Sequence, residues 1–306
     1  MKISLYEASK ISGHDYTTVK NWVDKGEIFK FEDEAGKPLV DKREFLLKIP
    51  TVITFFNQKG GCGRTSACKI IADYYEQKGM KVLIVDTDPQ NHITFGFMGY
   101  DFCASKNKLT LYDYFENKTP LNKIIAKYSD NIDLIPSTIE MDNKIHLGLE
   151  QLDKLKPDFI SLFKKYNVVI MDTPPSFNAM SKLCLLLANY VFIPIQASPL
   201  DVGGLEYALD NMKLIVKYNT DFYKDFRVIF SLHDTRNVRI KKDIELDIRT
   251  QLKNKVFENV IPNFKGVREV MGEKANLFNT YKGDKAIEKI LLLMDELDKF
   301  MYEERK

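Results

Sequence analysis

The strongest constraint on this chain lies at residues 51–78. A continuous apolar and β-branched run, Thr51-Val52-Ile53-Thr54-Phe55-Phe56, passes into Asn57-Gln58-Lys59-Gly60-Gly61-Cys62-Gly63-Arg64-Thr65-Ser66, and a helix-length segment follows from Thr65 to Lys78. A strand that ends in clustered glycines and re-enters as a helix can turn successive backbone N–H groups inward, making a nest for phosphate oxygens at the helix start. Thr65 stands where a hydroxyl would ligand Mg²⁺. The plainer alternative is a glycine-rich turn that joins strand to helix and holds nothing. The ordinary phosphate-loop pattern has Gly and Lys where this chain has Gln58 and Arg64.

Four further apolar runs follow: Lys81 to Asp86, Val168 to Asp172, Tyr190 to Ile195 and Phe226 to Ser231. Continuous runs, rather than apolar–polar alternation, mark strands covered on both faces. Helix-length segments lie between them, Leu205 to Lys217 among them. The alternation predicts a doubly wound α/β fold with a mostly parallel sheet, whose ligands gather at the carboxyl ends of the strands. No apolar run reaches the roughly 18–20 residues that span a bilayer. Residues Met1 to Glu7 lack an apolar core of signal-peptide length. Both features place the protein in the cytoplasm. The four cysteines (Cys62, Cys68, Cys103, Cys184) show no CxxC spacing, so neither a zinc site nor a disulfide framework is indicated.

Two strand ends are acidic: Asp86-Thr87-Asp88-Pro89-Gln90 and Asp172-Thr173-Pro174-Pro175-Ser176. Carboxylates at strand ends beside a phosphate nest suit water positioning and Mg²⁺ shells, although a single Asp is common wherever strands end. In this order the three motifs resemble the ParA/MinD/nitrogenase-reductase superfamily of P-loop ATPases over about residues 51–295. Lys59-Gly60-Gly61-x-Gly63 resembles its deviant Walker A motif, Asp86 to Gln90 its switch I, and Asp172 to Pro175 its Walker B and switch II. Ile261-Pro262 leading toward Tyr281-Lys282-Gly283 resembles the C-terminal segment in weakened form.

The resemblance implies ATP or ADP with Mg²⁺ as cofactors, bound by Lys59, Gly60, Gly61, Cys62, Gly63, Arg64, Thr65 and Ser66. It implies that Lys59 reaches across a nucleotide-sandwich homodimer and that Asp88 orients or activates the attacking water. Thr65 and Asp172 would hold Mg²⁺, Asp172 through water, and Asp86 would support the metal's outer shell. Two departures stand out. Arg64 occupies the family's lysine position and keeps the charge on a planar fork that cannot place it identically; nucleotide binding is expected to survive with slow or absent hydrolysis. Asn91-His92 follows switch I where the family usually has Gly-Asn, and His92 reads as a loop residue. Ser231 to Arg236 is the candidate adenine-contacting stretch.

Residues 1–50 read as a separate helical module before the ATPase domain of residues 51–306. Leu5 to Ile11 predicts a helix, Ser12-Gly13-His14 a turn, and Asp15 a cap for a second helix with Val19, Trp22 and Val23 at core spacing. Phe29-Lys30-Phe31 and Pro38-Leu39-Val40 could pair as a wing, with a third helix from Lys42 to Lys48. This resembles a MerR-like winged helix-turn-helix, which implies that Thr17, Thr18, Lys20 and Asn21 face DNA. A docking or dimerisation module is the alternative. The segment is neutral, with nine Lys/Arg and nine Asp/Glu, so a DNA face would require sidedness of charge.

The whole-chain charge of +2 also argues nothing for nucleic acid, but residues 236–268 hold nine basic and four acidic residues. Arg236, Arg239, Lys241, Lys242 and Arg249 are the candidates there for non-specific phosphate contacts; a solvated helix face is the bland alternative. The resemblance further implies a ParB-like centromere-binding partner and a nucleoid-associated location. Ile287, Ile290, Leu291, Met294, Leu297 and Met301 have helical spacing, but Glu288, Asp295, Glu296 and Asp298 would face anionic lipid poorly. The segment is therefore expected to pack on the sheet and not to bind membrane. A MinD-like membrane-positioning ATPase, a redox protein with a cluster at the dimer axis, and a DNA-binding regulator using ATP only as ligand are the rival readings.

Overall fold

The structure is a computed structural model that describes residues 2–12, 15–141, 145–219, 222–233 and 239–303. The first elements are β1 (Lys2–Ser4), α1 (Leu5–Ser12), α2 (Tyr16–Asp24), β2 (Lys30–Glu32), β3 (Pro38–Asp41) and α3 (Lys42–Lys48). Asp15 caps α2 by accepting from the Thr18 amide at 2.7 Å, as its position before the helix predicts. β2 pairs antiparallel with β3, with Phe31 opposite Leu39, and β1 adds to the other side of β3. That third strand, Lys-Ile-Ser, is too short to carry a period of its own.

The larger part comprises β4 (Thr51–Phe55), α4 (Arg64–Gln77), β5 (Val82–Asp86), α5 (His92–Ala104), α6 (Leu111–Asn117), β6 (Ala126–Lys127), β7 (Ile132–Ile135) and α7 (Leu149–Phe163). It continues through β8 (Val168–Asp172), α8 (Ala179–Leu187), β9 (Tyr190–Ile195), α9 (Pro199–Val216), β10 (Asp225–Phe230) and α10 (Arg239–Leu252). Three C-terminal helices follow: α11 (Gly266–Val270), α12 (Leu277–Thr280) and α13 (Lys285–Asp298). The seven-stranded sheet runs in the order β10-β9-β4-β8-β5-β7-β6. Its pairs are parallel except for the edge pair β6–β7.

Alternate residues of each central strand enter opposite cores. Ile53, Ile84, Ile170 and Phe192 face α4 and α13, while Val52, Val85, Val169 and Val191 face α7, α8 and α9. Both faces are therefore dry, which is why the strands read as unbroken apolar runs. α9 begins at Pro199, six residues before the expected Leu205. Proline at the first turn starts the helix, and burial of Leu205, Ala208, Met212 and Ile215 holds it beyond Gly203-Gly204. α13 buries Ile287, Ile290, Leu293, Met294 and Leu297, so it packs on the sheet as expected. Leu291 of the predicted stripe is partly exposed. Among the described residues no helix is long and apolar enough to cross a membrane.

The core is continuous across residue 50, since Ile3, Leu5, Val40 and Phe45 belong to the same cluster as Ile53 and Met301. α4 ties this cluster together through buried charge. The Lys69 ammonium meets both Asp73 oxygens at 2.7 Å, donates to the Ala275 carbonyl at 2.9 Å and lies 4.7 Å from the Phe97 ring centre. Asp73 also accepts from the Leu277 amide at 2.8 Å. Removing one partner of a fully buried pair strands the other charge. Lys69→Met is therefore expected to cost about 3–5 kcal/mol in denaturant unfolding, with most of it recovered in Lys69→Met/Asp73→Leu.

Candidate nucleotide site

The loop after β4 turns back through Gly61 (φ +71°) and Gly63 (φ +90°), a region costly for residues with a Cβ. At Gly63 a Cβ would also press within 3.3 Å of Ser231. Asn57 braces the loop from within: its side chain accepts from the Lys59 amide at 3.0 Å and donates to the Pro194 carbonyl at 2.8 Å. Gln196 donates to the Gly61 carbonyl at 2.9 Å. Thr65 lies in the first turn of α4, and its hydroxyl donates to Asp172 Oδ2 at 2.8 Å. Cys62 is buried, and that burial pushes its thiol up.

The two strand-end carboxylates are register partners on β5 and β8, but they do different work. Asp86 accepts from the Thr94 amide at 3.0 Å, the Thr94 hydroxyl at 2.5 Å and the Asp88 amide at 3.0 Å. Both its oxygens are thus engaged with the loop after β5 and with α5. Burial, then the Asp172 charge, holds its carboxyl well above the ordinary range. Asp172 keeps Oδ1 buried with no hydrogen-bond partner among the described residues. Burial pushes Asp172 up to about 6 against the pull of Arg64 and the Thr65 hydroxyl. A hydroxyl on one carboxylate oxygen and an unsatisfied second oxygen fit Mg²⁺, which takes few protein ligands and completes its shell with water and phosphate. No cluster of three or more His, Cys, Asp or Glu able to hold a metal occurs among the described residues.

Asp88 is buried, and its Oδ1 accepts from the Gln90 amide at 2.9 Å. Asn91 takes the left-handed conformation (φ 48°, ψ 31°) and precedes α5, which begins at His92. Asn tolerates this region better than most residues, so it can serve where the resembled motif has Gly. His92 thus opens a helix.

Two cations beside the loop are bonded within the chain. The Lys59 ammonium is folded back within its own chain, 2.9 Å from Asp201 Oδ2 and 3.4 Å from Ser198 Oγ at the start of α9. Asp201 is fully buried, whereas the Lys59 side chain is 29% exposed. Arg64 does not project alone into the phosphate nest. It donates to the carbonyls of Asn57 (2.6 Å), Lys59 (2.7 Å) and Thr173 (2.9 Å). Neither Asp201 nor the Thr173 carbonyl carries a motif signal of its own. Asp201 two residues inside a Ser-Pro helix start was the available hint.

The candidate DNA-contacting residues are scattered. Thr17, Lys20 and Asn21 are exposed on α2, while the Thr18 hydroxyl donates to Asp15 at 3.0 Å. Arg239, Lys241 and Lys242 are exposed at the start of α10. Arg249 departs from that face: it pairs with Glu245 and donates to the carbonyls of Phe257 (2.8 Å) and Glu258 (3.2 Å). Arg236 lies outside the described residues, as does the end of the proposed adenine stretch. Within that stretch the Ser231 hydroxyl is engaged with the Cys62 and Ile195 carbonyls, and His233 pairs with Glu245 at 3.0 Å. An open cleft of about 700 Å³ between α6 and α7 contains none of the motif residues.

A mostly parallel sheet with a glycine loop, a hydroxyl–aspartate pair and acidic strand ends defines a P-loop NTPase. A family model described as an AAA domain matches residues 50–224, more than half of the chain. The chain belongs to this family, the ParA/MinD-type partition ATPases. The chromosome-partitioning ATPase Soj of Treponema pallidum is 27% identical over 69% of this chain and 82% of its own length. The cell division protein PomZ of Myxococcus xanthus is 35% identical over 52% of this chain and 50% of its own length. A plasmid partition protein of Borrelia burgdorferi, solved with AMPPNP, superposes with TM-score 0.66 at 24% identity, over 83% of this chain and 99% of that one. Cobyrinic acid a,c-diamide synthase of Mycobacterium smegmatis, solved with ADP and magnesium, gives 0.66 at 22% identity, over 82% and 96%. These structures share the fold.

Nucleotide titrations with and without Mg²⁺ separate the two carboxylates. Asp172→Ala is expected to lose about tenfold or more of the Mg²⁺-dependent gain in AMPPNP affinity. Asp86→Asn should keep that gain and instead lower the melting temperature; loss of the gain there would place Asp86 in the metal's outer shell.

Proposed function

We propose that the protein is a nucleotide-switched partition ATPase that dimerises on ATP and binds DNA. The observation that carries this reading is the Thr65–Asp172 pair beneath the glycine loop, with one Asp172 oxygen left unsatisfied. ATP would supply the γ-phosphoryl group, and Mg²⁺ would neutralise charge on its phosphates. Thr65 and, through water, Asp172 would hold the metal, the amides of residues 60–66 would cradle the phosphates, and Asp88 would orient the attacking water.

The ion pair between Lys59 and Asp201 supports a switch within this scheme. A lysine held by its own chain at 2.9 Å, yet part-exposed, can exchange Asp201 for the phosphates of a partner's nucleotide. Asp201 then loses its counter-ion while buried, which sets a threshold against dimerisation without ATP. Arg64 is bonded to backbone, and this supports slow turnover. A chain that binds ATP only as a regulatory ligand is the limiting case of the same reading.

DNA binding is assigned to two surfaces. The exposed cations Arg239, Lys241 and Lys242 make non-specific phosphate contacts. The module of residues 1–50, read as a winged helix-turn-helix, presents Thr17, Lys20 and Asn21 to specific operator DNA. The partition names of the relatives support a DNA cargo; the ParB-like partner that would stimulate hydrolysis rests on the motif resemblance.

Light scattering after size exclusion tests the switch. A dimer is expected with Mg²⁺-ATP and not with Mg²⁺-ADP, lost in Lys59→Ala and formed at lower ATP in Asp201→Asn. ATP bound without dimerisation would overturn the switch. Turnover should rise in Arg64→Lys, and equal rates would remove the account of slow hydrolysis. For DNA, Lys241→Ala/Lys242→Ala should reduce the slope of log affinity against log salt by about 1.8, whatever the sequence.

A further inference from the structure

Arg64 has a geometry that a phosphate-binding cation does not need. Its guanidinium has five N–H donors: one on Nε and two on each Nη. Nε donates to the Thr173 carbonyl, and Nη1 donates to the carbonyls of Asn57 and Lys59 and lies 3.5 Å from Cys62 Sγ. The acceptors belong to two different loops. Asn57 and Lys59 are in the phosphate loop leaving β4, whereas Thr173 is the first residue past β8. These strands are neighbours, with Phe55 opposite Asp172, so their loops leave the sheet side by side. Arg64 is buried where it spans them, so these charge-assisted bonds act in a medium that strengthens them.

We propose that Arg64 is a positioning residue that straps the phosphate loop to the Thr173 loop through backbone carbonyls, leaving Nη2 to meet phosphate. The strap makes movement of the Asp172–Pro175 segment depend on what occupies the phosphate loop. The Thr173 loop has little else to exchange for it: Pro174 and Pro175 lack amide donors, and the Thr173 hydroxyl is committed to the Phe55 carbonyl at 2.6 Å. A lysine at position 64 keeps the charge but has one nitrogen. It cannot reach three carbonyls in two directions and a phosphate together. The inference rests on the nucleotide-switch reading only for its ligand; the strap itself is a property of the chain without nucleotide.

Hydrogen–deuterium exchange on the full chain tests it, for the parent, Arg64→Lys and Arg64→Gln, each with and without Mg²⁺-AMPPNP. Without nucleotide, the peptide spanning residues 172–178 should exchange about tenfold faster in both variants, the equivalent of one charged hydrogen bond. AMPPNP should protect that peptide in the parent, and this increment should shrink in Arg64→Lys even at saturating nucleotide. A residue that only stabilises the fold would leave the increment unchanged. Parent-like exchange in Arg64→Lys would show that charge alone is required and would overturn the strap, as would unchanged exchange in both variants. If Arg64→Gln does not fold, Arg64→Lys, which keeps charge and approximate size, decides alone. Absence of AMPPNP binding to the parent would defeat the nucleotide reading, while the nucleotide-free comparison would still decide on the strap.

Discussion

The structure depends on a parallel sheet that is dry on both faces. With alternate side chains of β4, β5, β8 and β9 in two separate cores, no polar group on a strand can reach solvent sideways. Polar chemistry is therefore forced to the carboxyl ends, where the strands release their loops. Asp86 and Asp172 sit there as register partners, and the glycine loop leaves the adjacent β4. The site is a consequence of the sheet's packing as much as of its motifs.

The same packing explains why so many charges near the site are bonded to the protein itself. Asp86 anchors α5 through Thr94 and the switch I loop through the Asp88 amide. Lys69 and Asp73 join α4, the helix that opens at the phosphate loop, to the segment at Ala275 and Leu277. Asp298 of α13 accepts from Tyr74 (2.9 Å), Tyr75 (2.8 Å) and Lys78 (2.5 Å) farther along α4. α4, whose first turn carries Thr65, is thus held at its middle and at its C-terminal end. Preorganisation of this kind reduces the reorganisation needed when a ligand arrives.

Two cations frame the site in contrasting ways. Lys59 is held by the Asp201 carboxylate and the Ser198 hydroxyl and stays part-exposed. Arg64 is held by three carbonyls from two loops and is fixed. In the proposed switch the first would be a moving part and the second a brace, which gives the departure at position 64 a geometric meaning beyond a change of cation.

Much of this architecture was legible in the residues. The five buried strands, α4, the capped helix after Asp15 and the packing of α13 follow from apolar period, glycine placement and a capping aspartate, all local properties. The short strands β1, β6 and β7 did not show, because two to four residues at or next to a sheet edge carry too little period, and the start of α9 lies six residues before the expected Leu205. Spacing also placed Thr65 at a helix start, Asp88 just past a strand and Asp172 at a strand end, since a motif that follows a strand is local. Which carboxylate keeps a free oxygen, whether Arg249 faces solvent, and what Lys59 and Arg64 touch were decided only by the tertiary structure. Those partners (Thr94, Phe257, Asp201, Thr173) stand from 8 to 142 residues away. The Asp201 and Thr173 contacts are set by how loops from neighbouring strands pack together, which no local pattern encodes.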